Sequence, residues 1–343
     1  MNILVDLGHP GHVHFFRNPA AIWRERGHRV LYTSRDMPIV ARLLAAQGDT
    51  ALVIGRRRPG AAGLALELAR RTLALVPLLV RERVDACAAI GGALTAPAAR
   101  LAGRPCVVFD DTDTAGLENR VSHPLASVIA TPQGYPRDLG SKQVRYPGLH
   151  ELSYMHPARF APDPAAPARY GLDPGAGYAV VRFSSWEAGH DLTARTASLE
   201  TKLELVRLLQ GRGRVLVVPE GNPPEELRPL APAIAPEDFH HILAFARHVV
   251  TEGATTASEA CILGVPALYM NPSRPFYIFE LARAGLLDAG LPGQDDLPAL
   301  LRAQLERFAD PATGRELARA FTSGRADVAL FAADLVEGAA RRA

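Results

Sequence analysis

Short β-type apolar runs alternate with helical patterns along nearly all of this chain, and that alternation restricts it to parallel-sheet α/β architecture. In the first half the pattern predicts strands over 2–7, 29–33, 51–54, 86–90, 106–109 and 128–130. Helices are predicted between them over 13–26, 37–47, 64–83 and 94–102, with Gly27, Gly48 and Gly103 standing where helices end. A Pro-rich stretch, 157–174, continues neither element type. The rhythm then resumes, with strands over 178–183, 214–218, 248–251 and 267–270 and helices over 196–210, 238–246, 256–263 and 276–284. The expected organisation is two doubly wound Rossmann-type domains facing across a cleft. Residues 1–156 form the first, 157–174 a linker, 175–325 the second, and 326–343 a terminal helix that can pack back on the first.

Composition sets bounds on what such a pair of domains does. With 48% apolar and 22% charged residues the chain is globular, and a net charge of +2 gives no case for a nucleic-acid partner. Cys87, Cys106 and Cys261 show no ligand spacing and read as small buried hydrophobes of a reducing compartment. No run approaches the ~20 apolar residues of a membrane span, and no charged and apolar leader opens the sequence, so the expected location is cytoplasmic. The cluster Arg56, Arg57 and Arg58 reads first as a solvated charge run. The apolar, arginine-flanked run 73–80 reads first as a helix buried against the sheet. Contact with an anionic membrane surface or with a phosphorylated acceptor is the alternative for the arginines, and peripheral membrane contact for the run 73–80.

Two strand-to-helix loops carry the chemistry. After the strand ending at Thr251, the small residues Gly253 and Ala254 allow close approach of a ligand, and Thr255 and Thr256 offer hydroxyls and free N–H groups at a helix start. That suits a diphosphate, and Glu259, one turn on, suits the vicinal hydroxyls of a ribose; together they describe a nucleoside diphosphate. The competing reading is a capping box, with Glu259 merely turned back to Thr256. The first loop, 4–14, is expected to present free N–H groups in the same way. Its His12, kept neutral by the helix end, is a candidate general base, against the alternative of a cap or phosphate contact. His9 and His14 are acceptor-side candidates. A metal site built from them with His12 and Asp6 is an alternative, but loop histidines at this spacing seldom converge on one ion, and no metal is expected. Asp110, Asp111 and Asp113 crowd the end of a predicted strand, where a base or an Mg²⁺ ligand sits as readily as turn chemistry; Asp111 is the second candidate base. Arg182, with Ser184, Ser185 and His190, can neutralise a departing diphosphate, unless Arg182 simply pairs with Glu187.

The run from Glu252 to Ala267 resembles the donor-binding signature of GT-B glycosyltransferases. The likeness is to the enzymes that add N-acetylglucosamine to the lipid-linked peptidoglycan precursor and, more loosely, to UDP-N-acetylglucosamine 2-epimerases. Gly11, His12 and Val13 match the step that ends the first loop of that transferase. The runs 107–113, 119–120 with Pro124, 181–186 and 189–191 resemble a domain-of-unknown-function family of predicted glycosyltransferases. The sequence departs from the transferase at Leu7 to Pro10, stiffer than a glycine-rich loop, and at Phe183 to Trp186, in place of a glycine-serine phosphate loop. The resemblance implies a GT-B fold and transfer of a sugar from a nucleoside-diphosphate sugar, UDP favoured, with no cofactor. The acceptor implied is the hydroxyl of a glycan, lipid-linked or small molecule. It also implies Glu259 on the ribose and its small neighbours on the diphosphate. The alternatives are a sugar-nucleotide 2-epimerase and a non-catalytic nucleotide-sugar-binding protein.

Overall fold

The computed structural model describes residues 1–56, 60–112, 116–183 and 196–343. They form two compact units, one of 1–159 with 325–343 and one of 160–324. Each is a parallel sheet covered by helices on both faces, the GT-B-like α/β class expected from the alternation.

The first unit holds β1 (Asn2–Leu7), β2 (Arg29–Ser34), β3 (Ala51–Val53), β4 (Ala86–Ile90), β5 (Cys106–Phe109), β6 (Val128–Pro132) and β7 (Gln143–Tyr146), in spatial order β3-β2-β1-β4-β5-β6-β7. Every pairing is parallel. The order reverses beside β1, so the loops after β1 and β4 diverge and leave a crevice at the carboxyl ends of those strands. Helices Gly60–Arg81 and Ala96–Leu101 seal one face, with Leu75, Leu79, Ala98 and Ala99 packed on Leu4, Cys87 and Val108. On helix Pro10–Glu25, Trp23 donates its Nε1–H to the Ala333 carbonyl of the terminal helix Val328–Arg342 at 3.2 Å. Cys87 and Cys106 are buried, and desolvation raises both thiol pKa values, that of Cys106 to about 12, so neither is a nucleophile.

The second unit holds β8 (Tyr178–Arg182), β9 (Arg214–Val217), β10 (Ala246–Thr251), β11 (Ala267–Tyr269) and β12 (Leu287–Ala289), ordered β12-β11-β10-β8-β9. All pairings are again parallel. Here the order reverses between β8 and β10. Helices Leu199–Gln210 and Leu297–Arg307 close one face over Val181, Val215, Val217, Val250 and Leu268. Residues 160–174 lie in this unit, where Arg169 and Tyr170 both bond the Asp238 carboxylate.

Several elements differ from the expected ones. Helix Pro10–Glu25 starts three residues before the predicted 13, because His9 caps it and Pro10 occupies the first helical position, where its missing N–H costs nothing. The edge strands β7 and β12 were not predicted: β7 is largely polar and β12 is only three residues long, so neither carries an apolar run. The 73–80 run is buried on one side only: Leu75 and Leu79 are in the core, while Leu73 is 76% and Val80 57% exposed. No helix among the described residues is long and apolar enough to cross a membrane.

Candidate active site

In the second unit, helix Ala254–Ile262 leaves β10 at the strand-order reversal. Its cap is Gly253, in extended conformation and with no side-chain cap bond; the Gly253 N–H itself goes to Thr251 Oγ1 at 3.0 Å. The N–H groups of Ala254, Thr255 and Thr256 therefore have no intrahelical acceptor, and no acidic residue lies in the first turn, an arrangement suited to an anion. The capping box between Thr256 and Glu259 does not form. Instead Glu259 Oε1 lies 3.0 Å from His240 Nε2, in a pair that is almost fully enclosed. Glu259 is only 5% exposed, its carboxylate gripped by a histidine to which the sequence pattern gave no role.

Below the same loop, Lys202 and Glu252 form a buried ion pair at 2.9 Å, and Asn271 Nδ2 donates to the Glu252 carbonyl at 3.0 Å. Both hold the root of the loop in place. Arg182, at the end of β8, pairs with Glu220 through Nε and Nη2 at 3.0 and 2.8 Å and stacks over Phe239 at 5.3 Å. Its observed partner is thus Glu220. Ser184, Ser185, Glu187 and His190 lie outside the described residues, as do Arg57, Arg58 and Asp113.

In the first unit a pocket of about 570 Å³ opens at the crevice beside β1, with His9, His12, Asp110 and Asp111 in its walls. His14 does not join them: its ring packs on Tyr154 at 5.6 Å, because residues two apart on a helix face different directions. Asp6 lies in the pocket floor and is not available to a metal. Its carboxylate accepts from Thr33 Oγ1 at 2.8 Å, from Thr95 Oγ1 at 2.6 Å and from the buried Arg71 guanidinium. No three His, Cys, Asp or Glu side chains converge as a metal-binding group among the described residues.

The first loop does not present the free N–H groups expected of it. Gly8 N–H donates to His12 Nδ1 and Gly11 N–H to His9 Nδ1, each at 3.1 Å, while His12 N–H donates to the His9 carbonyl at 3.0 Å. Two histidines have taken up the donors that glycine-rich loops leave open. Because Nδ1 of His12 accepts a hydrogen bond, the neutral ring carries its proton on Nε2. Desolvation, with added repulsion from His9, His150 and Arg35, pulls the His12 pKa down to about 3. A hydrogen bond to the Asp6 backbone opposes that fall, and at neutral pH His12 is an uncharged ring with little basicity.

The neighbouring carboxylates divide by partner. Asp110 is locked, accepting from Thr112 N–H at 2.9 Å and Tyr135 OH at 2.9 Å, with His123 Nε2 at 3.0 Å. Asp111 is more open: it takes the Thr112 hydroxyl at 2.9 Å, and its other oxygen is 3.7 Å from His150 Nδ1, which in turn lies 2.9 Å from Tyr146 OH. Asp111 is thus the less encumbered of these two aspartates. The Arg35–Glu67 pair, at 2.6 Å, Glu118 and Asn119 add to the polar lining. Glu67 and Arg71 lie one turn apart on a helix predicted only from its apolar periodicity, so their polar role had no sequence signal.

Residues 1–144 match the family described as Protein of unknown function (DUF354). A UDP-N-acetylglucosamine--N-acetylmuramyl-(pentapeptide) pyrophosphoryl-undecaprenol N-acetylglucosamine transferase of Halorhodospira halophila is 30% identical over 76% of this chain and 74% of its own length. Solved structures also share the fold. MurG of Acinetobacter baumannii matches with TM-score 0.59 at 15% identity, over 98% of this chain and 99% of that one. The UDP-GlcNAc 2-epimerase of Neisseria meningitidis bound to UDP-GlcNAc matches with TM-score 0.66 at 11% identity, over 92% and 94%. With the transferase of Halorhodospira halophila 30% identical over 76% of this chain, and with two parallel-sheet units, the chain belongs to the GT-B glycosyltransferase family that includes that transferase.

Proposed function

We propose that the protein transfers a sugar from a nucleoside-diphosphate sugar, UDP favoured, to an acceptor hydroxyl. The observation that carries this reading is the uncapped start of helix Ala254–Ile262 at the strand-order reversal of the second sheet. In this reading Gly253, Ala254, Thr255 and Thr256 bind the diphosphate, and Glu259, oriented by His240, receives the ribose. Arg182, preorganised by Glu220, faces the charge that develops as the sugar–phosphate bond breaks. Asp111 takes the acceptor proton as the acceptor oxygen bonds the anomeric carbon, and the nucleoside diphosphate departs with the bonding pair. The His12 Nε2–H positions the acceptor by hydrogen bonding, since a ring of pKa about 3 is a poor base. Helix-end donors and Arg182 supply the positive field, so no metal is needed. Ser184, Ser185, His190, Asp113 and His9 remain candidates for lesser contacts.

The reading extends to location: a cytoplasmic protein in peripheral contact with a membrane. Leu66, Leu73 and Val80, seven residues apart, form an exposed apolar stripe flanked by Arg70 and Arg81.

Calorimetric titration with UDP and UDP-N-acetylglucosamine tests the donor half. Binding is expected, with Kd raised severalfold or more in Glu259→Ala; failure of both nucleotides to bind overturns the proposal. In a transfer assay, Asp111→Asn is expected to lower kcat about 10²-fold or more while Kd for UDP stays unchanged.

A further inference from the structure

We propose that the first unit's pocket selects an unphosphorylated acceptor rich in hydroxyl or amine donors, a sugar or cyclitol, and disfavours a pyrophosphate-linked one. The inference rests on the transferase reading and deepens it.

The first observation is charge. Among the described residues five carboxylates line the pocket: Asp6 is neutralised by the buried Arg71 and Glu67 by Arg35 at 2.6 Å, which leaves Asp110, Asp111 and Glu118 with no guanidinium partner. In a partly enclosed site each unneutralised carboxylate repels a pyrophosphate strongly. Glu118 has no cationic side-chain partner among the described residues, and its Oε2 lies 3.5 Å from where a Gly91 Cβ would stand, over the pocket wall.

The second observation concerns backbone donors. A phosphate site usually relies on free loop N–H groups. Here those of Gly8, Gly11 and His12 are bonded within the first loop, and those of Gly91 and Gly92 go to the Phe109 and Ile90 carbonyls at 2.9 and 2.8 Å, so that in the loop after β4 only the Ala93 and Leu94 N–H groups stay open among the described residues.

The third observation is independent of both and identifies what the pocket lacks. Asn119, 4% exposed, donates its Nδ2–H to the Thr112 carbonyl at 3.3 Å, which leaves Oδ1 without a hydrogen-bond partner among the described residues; Oε2 of Glu67, 3% exposed, likewise has none. Both residues line the pocket. Buried acceptors without donors are costly and are satisfied by an incoming O–H or N–H, whereas a phosphate brings only more acceptors. The acceptor bound by the relative from Halorhodospira halophila, by its name, carries a pyrophosphate. This chain would differ from that relative in the acceptor and share with it the donor.

The test is ligand-detected NMR on the full chain, with UDP at saturating concentration. The unphosphorylated probes are N-acetylglucosamine, glucosamine and myo-inositol. They are compared with N-acetylglucosamine 1-phosphate, glucosamine 6-phosphate and inorganic pyrophosphate. At least one unphosphorylated probe is expected to bind, with its phosphate ester tenfold or more weaker. Asn119→Leu should weaken that binding about tenfold. Should Asn119→Leu fail to fold, Glu118→Gln at an exposed position serves instead, and is expected to narrow the discrimination against the phosphate ester severalfold. Phosphorylated probes binding as tightly as their counterparts, no unphosphorylated probe binding, or an Asn119→Leu protein that folds and binds normally each overturns the inference. UDP binding without the acceptor preference leaves the transferase reading standing; sugar binding without UDP binding does the reverse.

Discussion

At the scale of single residues, the candidate site depends on polar groups whose partners come from distant parts of the chain. Asp6 is legible in sequence only as a carboxylate near the end of an apolar strand, yet it anchors Thr33, Arg71 and Thr95 from three other segments. Arg71 is 1% exposed, so Arg71→Met would leave the Asp6 charge buried without its counter-ion. Equilibrium urea unfolding should register about 3 kcal/mol or more of lost stability, and a loss under 1 kcal/mol would refute that role. His12 and His248 both titrate abnormally. Desolvation is the first cause in each, with nearby positive groups adding to it, and their pKa values fall to about 3 and about 4. Below an ordinary histidine pKa of about 6.5 the unfolded chain binds these protons and the folded one does not. Stability is therefore full above that pH and declines as pH drops towards 4, each residue contributing up to about 1.4 kcal/mol per pH unit. Unfolding curves at pH 7 and 4.5 should converge more closely in the His12→Gln, His248→Gln double variant than in the parent; equal separation would remove the linkage.

At the scale of elements, two loops that look alike in sequence have become different devices. Each runs from an apolar strand through small residues into a helix. In the second the cap is Gly253, which has no side chain to spend, so the helix start stays open. In the first the cap is His9, whose ring accepts the Gly11 N–H, while His12 accepts that of Gly8. Residue types alone did not distinguish these outcomes, because a histidine nitrogen can accept, donate or stay free, and only rotamer and neighbours decide which. The helix Gly60–Arg81 was legible as apolar and helical, though not which side faced water. Its Leu73 and Val80 are open, so the variants Leu73→Ser and Val80→Ser should leave Tm within about 2 °C of the parent. The same pair should lower co-sedimentation with vesicles containing phosphatidylglycerol severalfold. Unchanged co-sedimentation would argue against membrane contact through this stripe.

At the scale of the whole molecule, the chain finishes where it began. Helix Val328–Arg342 belongs to the first unit, with Val328, Ala329, Ala332, Ala333 and Val336 fully buried, and Arg26 bonds both Asp334 and Glu337. A chain truncated after Gly324 should keep the second unit's thermal transition and lose or markedly lower that of the first; two unchanged transitions would show the helix to be dispensable. The alternation of apolar runs, the helix-ending glycines and the small residues from Gly253 on were enough to read a pair of doubly wound sheets and an open strand-to-helix loop, because periodicity and turn chemistry are local. What the local pattern could not contain was decided by tertiary packing: that His240 grips Glu259, that Asp110 is locked while Asp111 stays open, and that the first loop spends its own donors. Burial and hydrogen bonding between residues tens of positions apart set those outcomes, and a polar side chain's chemistry follows from the partner it meets.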